Sequence, residues 1–304
     1  MSISNFNPVL WSRGFLYNLN KAHVFADLMN RDYEGEVKVG QAVKISSIGR
    51  VTVRDYTRNS GAGNTAASPT ITGIYRPEIL QGSSLFLTID QQKYFNFEVD
   101  DVDAWQQQPK LMDKAMKEAA YSMANAVDVY CNTTIQTGVA GTANGNGNRL
   151  TARTIGTGAG DDDAYETLVD LAVKLRESDV MGSMWAVVPP WFIGMLQKDV
   201  RFTNYGTGPN RETLQNGKIG KAAGFEISES NNLSGATSGT LAVAGGVYTI
   251  LAGVKEASTY ANQVDKIEAF RPHDGFLDAV KGLHCYGAKV TRPFALASVA
   301  CTQA

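Results

Sequence analysis

Between residues 111 and 130, apolar side chains recur as Leu111, Met112, Ala115, Met116, Ala119, Ala120, Met123, Val127 and Tyr130. That three-and-four spacing is one face of a helix. Lys110, Asp113, Lys114, Lys117 and Glu118 fall on the other side, so one flank is wet and the other must be covered. Asp100-Asp101-Val102-Asp103 suits the entry to this helix, and Pro109 suits its first turn. Ahead of it, residues 85–90 and 94–99 alternate apolar and polar, as a half-buried strand pair should.

Further upstream, residues 36–48 alternate through Val37, Val39, Val43 and Ile45, and residues 51–56 continue as strand. Residues 59–69 are Ser, Gly, Ala, Asn and Thr, which predicts a flexible tip, and residues 71–80 return as a second strand. Together they predict a long two-stranded arm carrying Arg50, Arg54, Arg58 and Arg76 and few large apolar residues. A two-stranded ribbon is marginal alone in water, so the arm should pack on something else. The first 30 residues mix Phe6, Trp11, Phe15, Tyr17 and Phe25 with polar residues. Phe15, Leu19, Ala22 and Ala26 keep helical spacing, whether as a packed helix or as an arm laid on a neighbouring subunit.

Residues 138–160 are rich in Gly, Asn and Thr and read as a long loop or loose hairpin at a domain boundary. Asp161, Asp162 and Asp163 open a second helix, with Asp163 and Glu166 spaced as a capping box and Leu168, Leu171, Ala172 and Leu175 as its buried stripe. A buried strand at 184–188, a short helix at 190–197, a loop at 201–220 and strands at 225–228, 247–251, 266–270 and 287–291 complete the reading. Helices and strands are mixed rather than alternating, so the class is α+β, and no internal repeat is visible.

With 304 residues, 43% of them hydrophobic, the chain can bury one large or two medium cores. Lys and Arg number 28 against 30 Asp and Glu, a net charge of −2. A chain that gripped duplex DNA through its overall field would be basic; this one suits the lining of a nucleic-acid container that it touches only weakly. Cys131, Cys285 and Cys301 are odd in number and far apart, so no disulfide framework is implied. The start lacks the basic and apolar regions of a signal peptide, and no apolar run reaches the roughly 20 residues of a membrane helix. A soluble protein made in the cytoplasm is expected.

Catalytic signatures are missing: there is no G-x-S-x-G, H-E-x-x-H or C-x-x-C. The histidines are His23, His273 and His284, and neighbours such as His284 and Cys285 point to opposite faces of a strand. Gly220-Lys221 lacks the rest of a phosphate loop, since position 215 is Gln215 and position 222 is Ala222. Gly156, Gly158 and Gly160 precede a helix, but Asp161–Asp163 would repel a phosphate there. No catalytic residue, metal ligand or cofactor is expected. Arg54, Tyr56, Arg58, Tyr75 and Arg76 interleave charge with aromatics, and the two readings are nucleic-acid contact and ion pairing with a neighbouring subunit. The near-neutral chain favours the second.

In order, these pieces resemble the tailed-bacteriophage major capsid proteins. The resemblance rests on Asn5-Phe-Asn-Pro-x-x-Trp11, on residues 30–37 (NRDYEGEV) with the Gly40-x-x-Val43-x-Ile45 strand, and on the run from Leu87 to Asp103. Residues 250–258 and 282–293 also fit, so it spans nearly the whole chain. It implies the fold shared with herpesvirus shell floors: an N-terminal arm with the first peripheral strand (1–45), an extended E-loop (46–84), a peripheral domain with a long spine helix (85–140), and an axial domain (141–304) from which a late strand around 266–270 returns to the periphery.

By this resemblance the chain is a virion subunit that assembles in the host cytoplasm, through hexameric and pentameric rings, into an icosahedral head around double-stranded DNA. Its partners are other copies of itself, a scaffolding protein, a portal and a decoration protein, with no membrane. Arg50, Arg54, Tyr56, Arg58 and Arg76 are the expected intersubunit contacts on the E-loop. The alternative is an encapsulin-like compartment or another phage structural protein of the same fold. Some relatives weld subunits through a Lys–Asn isopeptide bond. No Lys lies between Lys44 and Lys93, so a non-covalent shell is expected.

Overall fold

The computed structural model describes residues 24–34, 42–48, 51–53, 79, 82–100, 111–141, 147–156, 160–199, 221–233, 246–273 and 275–304. Three sheets organise them. Strands β1 (Ala42–Ile48) and β2 (Gly82–Thr88) form an antiparallel ribbon in register from Ala42↔Thr88 to Ile48↔Gly82. Strands β3 (Gln91–Asp100), β9 (Ser258–Phe270) and β10 (Leu277–Val290) make an antiparallel sheet of order β3-β10-β9. The largest sheet, of order β4-β11-β8-β5-β7-β6, comprises β4 (Arg149–Ile155), β5 (Met184–Val188), β6 (Lys221–Ala222), β7 (Phe225–Glu229), β8 (Tyr248–Val254) and β11 (Leu296–Gln303). The helices are α1 (Phe25–Leu28), α2 (Leu111–Gly138), α3 (Ala164–Glu177) and α4 (Pro190–Lys198).

Helices α3 and α4 cover one face of the large sheet. Leu168, Leu171, Leu175, Phe192 and Leu196 meet Ala186, Val188, Phe225, Ile250 and Val299 in one core. On the other face Trp185, Val187, Leu251 and Leu296 meet Val127, Cys131 and Ile135 of α2. Strand β5 is buried on both faces, which is why it reads as an unbroken apolar run rather than an alternation. The first half of α2 lies instead on the three-stranded sheet, where Met116, Ala120, Met123 and Ala124 pack on Ile267, Val280, Phe95 and Phe97. One helix therefore ties both sheets together. Gly282 of β10 admits this layer closely, since a Cβ there would stand 2.3 Å from the Phe95 ring.

Several expectations change on the structure. The segments 85–90 and 94–99 do become strands, but β2 pairs with β1 and β3 with β10, so they are not each other's partners. Helix α2 runs eight residues past Tyr130. The polar tail holds because the hydroxyls of Thr133, Thr134 and Thr137 donate to the carbonyls of Val129, Tyr130 and Thr133, while Ile135 is buried. Strand β4 occupies part of the stretch read as loop, and β11 was not anticipated. The strands expected at 266–270 and 287–291 belong to the much longer β9 and β10. Val51, Thr52, Val53 and Ile79 show no regular structure. The rest of the predicted arm, its tip, the helix expected before residue 24 and the loop at 201–220 lie outside the described residues. The α3 cap is realised by Asp163, whose carboxylate accepts from the Tyr165 N–H at 3.1 Å, one residue earlier than the capping box implies. Among the described residues no helix is long and apolar enough to cross a membrane.

Candidate subunit-contact surface

The ribbon β1–β2 stands on the outer face of the three-stranded sheet. Val43, Leu87 and Ile89 pack with Ala261 and Cys285, and Tyr33 and Ile45 flank them. The fit is set by Gly287: a Cβ on it would lie 2.1 Å from the Thr88 carbonyl oxygen and 3.1 Å from the Ile89 Cα. Tyr130 of α2 donates a 2.8 Å hydrogen bond to Asp90 in the turn after β2. Burial first, then Asp90 itself, push the Tyr130 phenol up to about 12, so it stays a donor at ordinary pH. The ribbon's foot is thus fixed on one side by packing and on the other by this bond.

Beyond that foot Val51, Val53 and Ile79 are exposed, Val53 at 94%. Such strand-prone residues gain nothing from water, and cover by another surface would stabilise them. Arg50, Arg54, Tyr56, Arg58 and Arg76, the contacts expected from the sequence, lie outside the described residues.

Two open grooves lie elsewhere. One, of about 500 Å³, runs between the edge strand β3 and α2 and is lined by Tyr94, Phe95 and Phe97 on one side and Ala115, Ala119 and Ser122 on the other. The second, of about 760 Å³, lies between the loop after α3 and the turns at Lys255–Ala257 and Pro293–Ala295. Met181 and Phe294, 94% and 69% exposed, stand at it. Within the three-stranded sheet, Glu268 of β9 is held by Lys266 on its own strand and by Lys281 of β10 at 3.0 Å, and hydrogen bonds from these ammonium groups lower its carboxyl below the usual range.

His284 is buried with its Nε2 3.3 Å from the Tyr260 hydroxyl, while Cys285 faces the ribbon on the opposite side, as strand alternation requires. Among the described residues no group of three or more His, Cys, Asp or Glu is placed to hold a metal. Sequence reasoning passed over Asp128, a carboxylate 2% exposed on the covered side of α2. Its signal was present: Asp128 follows Ala124 by four and precedes Cys131 by three, so a charge sits on the apolar stripe.

A sequence profile described as phage capsid protein matches residues 86–299. Among solved structures, a chain of Mycobacterium phage Che8 shares 27% identity with a TM-score of 0.66, over 91% of this chain and 90% of that one. A chain of the capsid structure of the cyanophage P-SCSP1u superposes equally well, at TM-score 0.66, with 16% identity over 93% of this chain and 89% of that one. The virus-like particle from Pyrococcus furiosus aligns at TM-score 0.51 and 12% identity, over 96% of this chain and 98% of that one. No curated protein sequence matches significantly. The fold is that of the tailed-phage capsid proteins, and the chain belongs to the phage capsid protein family. It is by that membership a structural component of a virion.

Proposed function

We propose that this chain is the major shell subunit of a tailed-phage head, closing hexameric and pentameric rings into an icosahedral container for double-stranded DNA, and that it acts by assembly rather than catalysis. The observation that carries the proposal is the ribbon β1–β2 held on the three-stranded sheet at Gly287, with the strand-prone Val51, Val53 and Ile79 exposed just beyond it. Head-to-tail contacts of this kind are heterologous and close when the rotation permits. Each can be modest, because many act together once a subunit is embedded.

In this reading residues 1–45 are the N-terminal arm and first peripheral strand, 46–84 the E-loop, 85–140 with β9 and β10 the peripheral domain, and the large sheet with α3 and α4 the axial domain. Arg50, Arg54, Tyr56, Arg58 and Arg76 touch the neighbouring copy. A scaffolding protein, a portal and a decoration protein are the other partners. Assembly takes place in the host cytoplasm, and packaged DNA is touched only weakly. The second reading, a compartment shell of the same fold, draws on the likeness to the Pyrococcus particle, which is weaker in TM-score than that to the two phage chains.

The test is limited proteolysis with a nonspecific protease, on free subunits and on particles formed with a scaffolding partner. Residues 59–69 should be cut first in the free subunit and their flanks protected after assembly. Arg54→Ala and Arg58→Ala should lower particle yield while leaving the subunit's unfolding midpoint in place. Equal cleavage rates in both states, with full assembly of the Arg variants, would remove the E-loop assignment.

A further inference from the structure

Three passages of the chain cross between the three-stranded and the six-stranded sheet, and they run side by side. The first leaves α2 near Val139, the second is the turn Lys255–Ala257, and the third is the turn Pro293–Ala295. They are laced to one another. The Ala140 N–H donates to the Pro293 carbonyl at 3.2 Å, and the Thr291 and Arg292 N–H groups donate to the Ala257 carbonyl at 2.9 and 3.0 Å. Asn148 Nδ2 donates to the carbonyls of Phe294 and Leu296. Short turns of this kind are where the angle between two sheets can change.

Residues 24–30 lie against this junction without belonging to either sheet's ladder, and they are fastened at both ends. At the first end Asp128 Oδ1 accepts from the N–H groups of Val24 and Phe25 at 3.2 and 2.9 Å. Its other oxygen, Oδ2, accepts from Asn232 Nδ2 at 2.8 Å, and Asn132 Nδ2 donates to the Asn232 carbonyl. Asn232 follows β7, so one carboxylate links the segment, helix α2 and the large sheet's loop. At the second end the Asn30 N–H donates to the Ser258 carbonyl and the Asn30 carbonyl accepts from the Tyr260 N–H, at 2.9 and 3.0 Å. That is a parallel bridge to the start of β9 in the other sheet. Between the two ends Phe25, Ala26 and Met29 are fully buried among Val127, Cys131, Leu233, Ala257 and Tyr260, and Arg31 lies over the Tyr260 ring at 5.5 Å.

We propose that residues 24–30 are a strap that sets the angle between the two sheets, clamped to the six-stranded side by Asp128 and to the three-stranded side by the Asn30 bridge. Any covering segment must pair its buried N–H groups; what sets this one apart is that the partners at its two ends belong to different parts of the junction, Asp128 with Asn232 at one and Ser258 with Tyr260 at the other. Four directional bonds at opposite ends hold distance and direction as well. The residues before Val24 are joined directly to the clamp, so a pull on them is delivered to the junction. A subunit that must occupy rings of different curvature then has a place where contact made by its N-terminal residues changes its own shape.

Double electron–electron resonance on the full-length unassembled subunit tests this, with spin labels at Asn96→Cys on β3 and Glu229→Cys on β7, both exposed, the three native thiols being buried. Hydrogen exchange on the same samples reports whether the strap has left. Asp128→Ala should raise exchange of the amides at 24–30 at least tenfold and broaden the distance distribution at least twofold. Asn30→Pro deletes the bond to Ser258 while leaving Asp128 intact, and Met29 is already extended as the residue before a proline must be. It should act in the same direction, and it carries the test if Asp128→Ala does not fold. Release of the strap with an unchanged distribution would overturn the proposal, as would a strap that neither variant releases.

Discussion

Gly287→Ala is the sharpest perturbation the structure offers, because the added methyl meets backbone rather than a side chain that can turn away. The new Cβ would lie 2.1 Å from the Thr88 oxygen, 3.0 Å from its carbonyl carbon and 3.1 Å from the Ile89 Cα. Relief requires β2 to lift by about 1 Å at its C-terminal end, since ordinary contacts lie near 3.3 Å or beyond. Leu87 and Ile89, buried under the ribbon with Cys285 and Ala261, then lose part of their packing. Overpacking of this kind costs about 1–3 kcal/mol, and the partial opening of two large apolar side chains adds about 1 kcal/mol. Against a total stability of about 5–15 kcal/mol, the denaturation midpoint should fall clearly. Gly194→Ala is the control. A Cβ there meets nothing within 4 Å and it lies inside α4, so the change should stabilise by up to about 1 kcal/mol. Urea denaturation of the unassembled subunit, followed by far-ultraviolet dichroism, measures both. A Gly287→Ala midpoint indistinguishable from the parent's would refute the close approach of ribbon and sheet.

Two further outcomes follow from the interior and from the arm. Burial raises the thiols of Cys131 and Cys301, Cys301 from 9.0 to about 12, so each keeps its proton in the fold while the unfolded chain ionises from about pH 9. The folded pKa being the higher one, this stabilisation is complete below pH 9 and is lost as pH rises toward 12, by about 1.4 kcal/mol per unit and thiol. Equilibrium unfolding across pH 8–11 should show that decline, and a Cys301→Ala variant should show less of it; identical slopes would contradict the thiol account. Mature particles boiled in detergent under reducing conditions should run as single chains of 32.8 kDa, because the expected arm carries no lysine to form an isopeptide bond; a covalent ladder would contradict that.

What the sequence made legible were elements whose burial is decided locally. The one-sided stripe of α2 and the continuous apolar run of β5 follow from which faces are wet, and both can be read without knowing a partner. The acidic cap of α3 is local chemistry of the same kind. Pairing was not legible. β2 and β3 follow one another with a two-residue gap, and nothing in their alternation says that β2 belongs to the ribbon and β3 to β10. Strand β4 was hidden because Arg149, Thr151 and Arg153 look like loop, and only its parallel contact with β11 makes it a strand. Of the candidate contact surface, the sequence showed only the Arg-rich composition at Arg50, Arg54, Arg58 and Arg76, which lie outside the described residues. The ribbon's foot on Gly287 was not visible, since a glycine's importance there depends on a backbone some 200 residues earlier.

Electron microscopy of the protein expressed with a scaffolding partner, or alone at high concentration, tests the central claim most directly. Closed particles or six- and five-membered capsomers, with the ribbon β1–β2 reaching over an adjacent copy, are the predicted result. A compact monomer of 32.8 kDa under every such condition would contradict it.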